Sequence, residues 1–165
     1  MSQAAIFLKT LTVATLMWST QATFAANAAI ATDTALPGTV TLSSPHDFRT
    51  LGARLEAAIR AQKMGLVAQA SASAGAAGRG VKIPGNAVLM LFRNDYAVRM
   101  LKASVNAGIE APIRMYLTEN PDGTASLSYR APSAIFAPYH NAELDAMAQE
   151  LDPIFKRIAH DAVGP

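Results

Sequence analysis

The sequence has no cysteine, which excludes a disulfide framework, a lipid-modified N-terminus, a covalently attached c-type haem and a thiol nucleophile. Charge is also scarce: Asp, Glu, Lys and Arg make up 16% of 165 residues, against 51% hydrophobic ones. That balance is the opposite of an intrinsically disordered composition, and one domain of this length can bury a core without metals or crosslinks. Aromatic side chains are 7% of the chain and the formal net charge is only +2. Nucleic-acid binding needs a basic strip interleaved with stacking aromatics, so no nucleic-acid partner is expected. The sequence also lacks a nucleophile elbow, a zinc-protease pattern and a phosphate-binding glycine loop. The glycines of Ala74-Gly75-Ala76-Ala77-Gly78-Arg79-Gly80 are not followed by the Lys-Ser/Thr ending such a loop requires.

Residues 1–28 have the layout of a secretory signal: Lys9, the apolar run from Leu11 to Trp18, and small residues ending Ala26-Asn27-Ala28. Cleavage is expected after Ala28, with Ala25 as the alternative site. Lys9 divides the apolar stretch, and neither part approaches the roughly 20 residues that cross a bilayer. The mature protein is therefore expected to be periplasmic or secreted and not to bind membrane. A flexible lead over residues 29–37 would precede a single domain over residues 38–162.

Within that domain, Val40 and Leu42 alternate with Thr39, Thr41 and Ser43, the pattern of a strand with one buried face. Ser44-Pro45-His46-Asp47 reads as a helix start capped by Ser44, with the helix running to about Lys63 and stopping at Gly65. Residues 66–71 form a second strand, and residues 72–80 are either a short helix or a loop. Asn86–Phe92 is short and nearly all apolar, as in a central strand. A helix capped by Asn94 or Asp95 follows, extending through Asn106. Ile113–Glu119 and residues 124–130 flank Asn120-Pro121-Asp122-Gly123, a turn composition that predicts an antiparallel hairpin. A connection over residues 131–140 leads to a final helix capped by Asn141, where Pro153 is expected to kink or restart it. The order β-α-β-β-α-β-β-α predicts an α+β fold: a two-layer sandwich with a mainly antiparallel sheet and helices on one face.

Val88-Leu89-Met90-Leu91-Phe92-Arg93-Asn94, the later Ala107-Gly108-Ile109-Glu110-Ala111-Pro112-Ile113-Arg114, and the hairpin end Leu127-Ser128-Tyr129-Arg130-Ala131-Pro132 together resemble the domain-of-unknown-function 302 (DUF302) family. The resemblance covers residues 39–159. It implies a small fold of the kind compared with the TATA-binding-protein superfold, self-association as a homodimer, and no established reaction. Many members of that family carry a Gly-Asn-Pro turn after the third strand and a histidine after the second. This chain has Arg93-Asn94-Asp95 and the Ser71-Ala72-Ser73 neighbourhood instead.

Two groups of residues carry candidate chemistry. Arg93, Asn94 and Asp95 lie where a strand meets a helix, so free amides there can hold an anion or can simply be capped. Tyr129, Arg130, Tyr139 and His140 surround one connection, with Tyr116 on a neighbouring strand; this mix of apolar wall and few polar groups suits a small-ligand cleft or the covered end of a core. If helices cover only one sheet face, Arg114, Tyr116, Thr118, Ser126 and Ser128 form an exposed polar-aromatic surface. His46, His140 and His160 show no close ligand spacing, so no metal site and no cofactor is expected. The leading expectation is an exported non-catalytic module that binds a small anionic ligand or a protein partner. The rival is an enzyme that works on a small anion at Arg93, Asn94, Tyr129 and His140, which requires those side chains to converge.

Overall fold

In the three inner strands of the sheet, side chains alternate in and out with a period of two, and this sorts the sequence onto two unlike faces. The computed structural model describes residues 35–165; the expected leader and most of the lead lie outside the described residues. Five strands, β1 (Thr39–Ser44), β2 (Gly65–Ala70), β3 (Asn86–Phe92), β4 (Ile113–Glu119) and β5 (Ala125–Arg130), form one sheet in the order β1-β5-β4-β3-β2. Every neighbouring pair is antiparallel. Leu89 and Leu91 of β3, Ile113, Met115 and Leu117 of β4, and Leu127 and Tyr129 of β5 are buried on the inner face.

Helices α1 (Phe48–Ala61), α3 (Asn94–Ala103) and α5 (Ala142–Val163) cover that face. Their apolar stripes complete the core through Leu51, Leu55 and Ile59, through Met100, and through Leu144, Leu151, Phe155 and Ile158. The fold is α+β, with a purely antiparallel sheet backed by one helical layer. Two short helices, α2 (Ala72–Ala77) and α4 (Pro132–Phe136), and 3-10 segments at Val105–Glu110 and Ala137–Tyr139 fill the connections.

Local details depart from the sequence expectations for identifiable reasons. Asp47, rather than Ser44, caps α1: its carboxylate accepts from the Thr50 amide at 2.8 Å and the Thr50 hydroxyl at 2.9 Å. Ser44 is still in β1, and its hydroxyl accepts from the His46 amide at 3.1 Å. The left-handed residue after α1 is Lys63, with φ 55°, whereas Gly65 opens β2, where a Cβ would stand 3.1 Å from the Phe92 carbonyl. No side chain caps α3, and the 3-10 segment takes over after Ala103, so the helix is shorter than expected. Residues 72–77 are helical, with Ser71 as the cap. Helix α5 runs through Pro153 without ending, because Phe155, Ile158, Ala159 and Ala162 anchor the following turns in the core. Asn141 caps α5 as expected, accepting from the amides of Glu143 and Leu144.

Candidate ligand site on the uncovered sheet face

The alternation that buries Met115 and Leu117 turns Arg114, Tyr116 and Thr118 to the other face of β4. On β5 the same rule turns Ser126, Ser128 and Arg130, all half-buried, to that face. Register then makes neighbours of residues far apart in sequence: Thr41 pairs with Ser128, Ser128 with Tyr116, and Tyr116 with Val88. The Thr41 and Ser128 hydroxyls are 2.9 Å apart. Arg130 pairs with Thr39, and Arg114 with Met90. Beyond the Met115–Tyr129 pair, Arg114 and Arg130 are the next residues on two adjacent strands, on the same face.

That end of the sheet holds a recess of about 280 Å³. Arg114, Arg130 and Glu110 bring charge to it, Thr39 and Ser128 bring hydroxyls, and Leu36, Val88, Ile113 and Ile135 bring apolar surface. Tyr116, 42% exposed, adds an aromatic face. The start of β1 is held close to α4: the Ala131 amide donates to the Gly38 carbonyl at 2.9 Å, and a Cβ on Gly38 would overlap that of Ala134. Gly38 has φ 76°, so it meets both the conformational and the steric demand of this approach.

Arg130 is half committed. Its Nη2 donates to the Ala134 carbonyl at 3.1 Å, but its Nε is buried and has no acceptor among the described residues. A buried donor without a partner costs about 1–3 kcal/mol. Among the described residues, neither Arg114 nor Arg130 forms an ion pair. The Tyr139 hydroxyl donates to Glu110 Oε1 at 3.0 Å, tying the 3-10 segment before β4 to the turn after α4. Burial first, and then the Glu110 carboxylate, raise the Tyr139 phenol above its ordinary value.

The junction of β3 and α3 has a different character. Arg93 donates to Asp95 through Nε at 2.8 Å and Nη2 at 3.1 Å, and its guanidinium lies 4.2 Å from the centroid of the Tyr96 ring. The Arg93 bond holds the Asp95 carboxyl below the usual carboxylate range. Arg99 reaches α5 instead, making a two-pronged pair with Glu150 at 2.7 Å for each bond.

The family described as a domain of unknown function, DUF302, matches residues 40–162. The chain belongs to the DUF302 family. The crystal structure of an uncharacterized conserved protein DUF302 from Bacillus stearothermophilus is similar, with a TM-score of 0.69 at 15% sequence identity. The match covers 77% of this chain and 99% of that one, and at that identity it speaks to the fold alone. No curated protein matches the chain.

In this DUF302 chain the residues singled out from sequence fall into separate places. Tyr116, Tyr129 and Arg130 border the recess, although the Tyr129 side chain is buried on the inner face with its ring 6.1 Å from that of Phe155. Burial, with Asp152 adding a smaller push, raises the Tyr129 phenol. Arg93 borders a different and much smaller void beneath α3, while exposed Asn94 and Asp95 stand at that helix's first turn. Tyr139 does not border the recess and touches it only through its bond to Glu110. His140 is exposed, in a left-handed conformation with φ 48°, and neither His140 nor Asn94 borders either recess. Sequence reasoning missed Glu110, Thr39 and Leu36 at the site and gave Arg114 only a surface role. Alternation along β4 carried a signal for Arg114; for the other three, neighbourhood depends on how β1 and the 3-10 segment meet the end of the sheet.

Proposed function

We propose that this protein is an exported, non-catalytic binding module that takes a small anionic ligand in the recess between Arg114, Arg130 and Tyr116. The observation that carries this reading is the pair of arginines at one end of the β4–β5 ladder, Arg114 and Arg130: neither is in an ion pair among the described residues, and the buried Arg130 Nε has no acceptor among them. Arginine presents a planar fork that matches an oxyanion, and the partly apolar recess raises the value of each bond. Binding stabilises the folded state by mass action, about 2.7 kcal/mol at a ligand concentration one hundred times Kd. Thermal-shift and calorimetric titrations of the purified protein with small organic and inorganic anions should give saturable shifts that weaken in Arg114→Met. Equal shifts in wild type and Arg114→Met would reject the site.

Export to the periplasm or medium is part of the proposal and rests on Lys9, the apolar run after it and the small residues at Ala26 and Ala28. Cell fractionation with N-terminal sequencing tests it, and a protein that keeps Met1 in the cytoplasm refutes it. A protein partner, including a second copy of the chain, is a second reading. It is favoured by the uncovered strip of Tyr116, Thr118, Ser126 and Ser128, whereas the apolar stripe of α5 is already buried in the core. Light scattering after gel filtration at micromolar concentration should then give a dimer mass, and a strictly monomeric protein refutes that part.

A further inference from the structure

Resting on the anion-site reading, we infer that the ligand is an organic monocarboxylate with a compact apolar body, and that Glu110 sets this choice. Charge gives the first reason. Two guanidiniums and one carboxylate border the same recess, for a net charge of +1. A single carboxylate balances that charge, whereas a phosphate dianion or a dicarboxylate would leave the recess at a net −1, its second charge repelled by Glu110 without a cation left to offset it. Glu110 is held at the recess by the Tyr139 hydroxyl, so it does not simply swing into solvent.

The walls give the second reason. Half-buried Val88 and the edges of the largely buried Ile113 and Ile135 flank the arginines, and Tyr116 supplies an aromatic face, surfaces that gain from covering carbon and offer nothing to a fully hydrated inorganic ion. The donors sit to one side, with Arg114 and Arg130 adjacent across the β4–β5 ladder and Thr39 paired to Arg130. The ligand therefore lies with its carboxylate on the arginines and its body over Tyr116 and Val88. Size gives the third reason. About 280 Å³ is at the small end of ligand pockets, which suits one ring or a short chain.

The test is a calorimetric and thermal-shift series with benzoate, hexanoate, benzamide, phthalate, phenyl phosphate and inorganic phosphate on the purified protein. Benzoate and hexanoate should bind, and benzamide, which lacks the charge, should bind at least about tenfold more weakly. Arg114→Met should weaken benzoate by a similar factor; this side chain is exposed, so the fold is not at stake. Glu110→Gln should shift the ratio of phthalate to benzoate affinity toward phthalate by about tenfold, the effect of removing one nearby like charge at a partly solvated site. Phenyl phosphate or inorganic phosphate binding as tightly as benzoate would overturn the monocarboxylate assignment and leave the anion site standing. An unchanged phthalate ratio in Glu110→Gln would remove Glu110 as the selector. Benzamide binding as well as benzoate, or no shift with any probe at tens of millimolar, would overturn the anion site itself.

Discussion

Arg54 on α1 reaches the far end of α5 and donates to its last carbonyls: Nε to Ala162 at 2.9 Å, and Nη2 to Gly164 at 2.8 Å and Asp161 at 3.2 Å. Those carbonyls lack helical partners and carry the negative end of the helix dipole, so one guanidinium satisfies several acceptors and complements the field. His46 adds a contact from its Nε2 to the Gly164 carbonyl at 2.8 Å. Arg54→Met retains most of the aliphatic stem and removes the donors. Bonds from a charged donor are worth about 1.5–3 kcal/mol when well buried. Here the Ala162 and Gly164 bonds are part-buried and the Asp161 bond is exposed. Taking about 1 kcal/mol for each of the two better bonds gives a loss of about 2 kcal/mol. At roughly 4 °C per kcal/mol for a domain of this size, the melting temperature should fall by about 8 °C. Urea denaturation followed by far-ultraviolet circular dichroism measures the free energy directly, and the slope against urea should not change. Arg54→Lys should restore less than half of the loss, because one ammonium cannot reproduce the fork. If Arg54→Met stays within about 0.5 kcal/mol of wild type, the docking of α5 onto α1 does not depend on this arginine.

Phe155 is fully buried and packs on Tyr129, so Phe155→Ala should cost about 3–5 kcal/mol in urea denaturation. Gly38→Ala should destabilise by about 2 kcal/mol or more, since the added Cβ has to displace Ala134 and φ is positive; benzoate binding should fall with it as the recess deforms. The bonds from Thr50 hold the Asp47 carboxyl below its ordinary 3.8. Its contribution is therefore complete above that value and is lost as pH falls through the lower folded-state value. Asp47→Asn keeps a capping oxygen without the titration, so its urea midpoint should drop less between pH 5 and pH 2 than that of wild type; parallel declines would refute the linkage.

The strands that form the sheet's middle were the most legible part of the sequence. Asn86–Phe92 and Ile113–Glu119 have the bounds expected, the first from a short continuous apolar run and the second from Ile113, Met115 and Leu117 alternating with polar neighbours. Helix starts were less legible. Ser44 and Asp47 are both good caps, and the choice between them depends on where β1 stops pairing with β5. At Arg93 the sequence offered free amides and a cation; only the bond geometry shows that Asp95 already engages the guanidinium. The recess was half legible, since alternation turns Tyr116 and Arg130 outward. Bringing Leu36, Glu110 and Ile135 beside them takes three chain segments with no periodic relation to one another.

Backing a sheet on one side only divides the labour between its faces. Nearly all the tight packing lies on the helical side, so exchanging Arg114, Tyr116 or Ser128 alters the outer surface while leaving the interior jigsaw intact. The chemistry of that outer surface can be exchanged one side chain at a time, without a compensating change in the core.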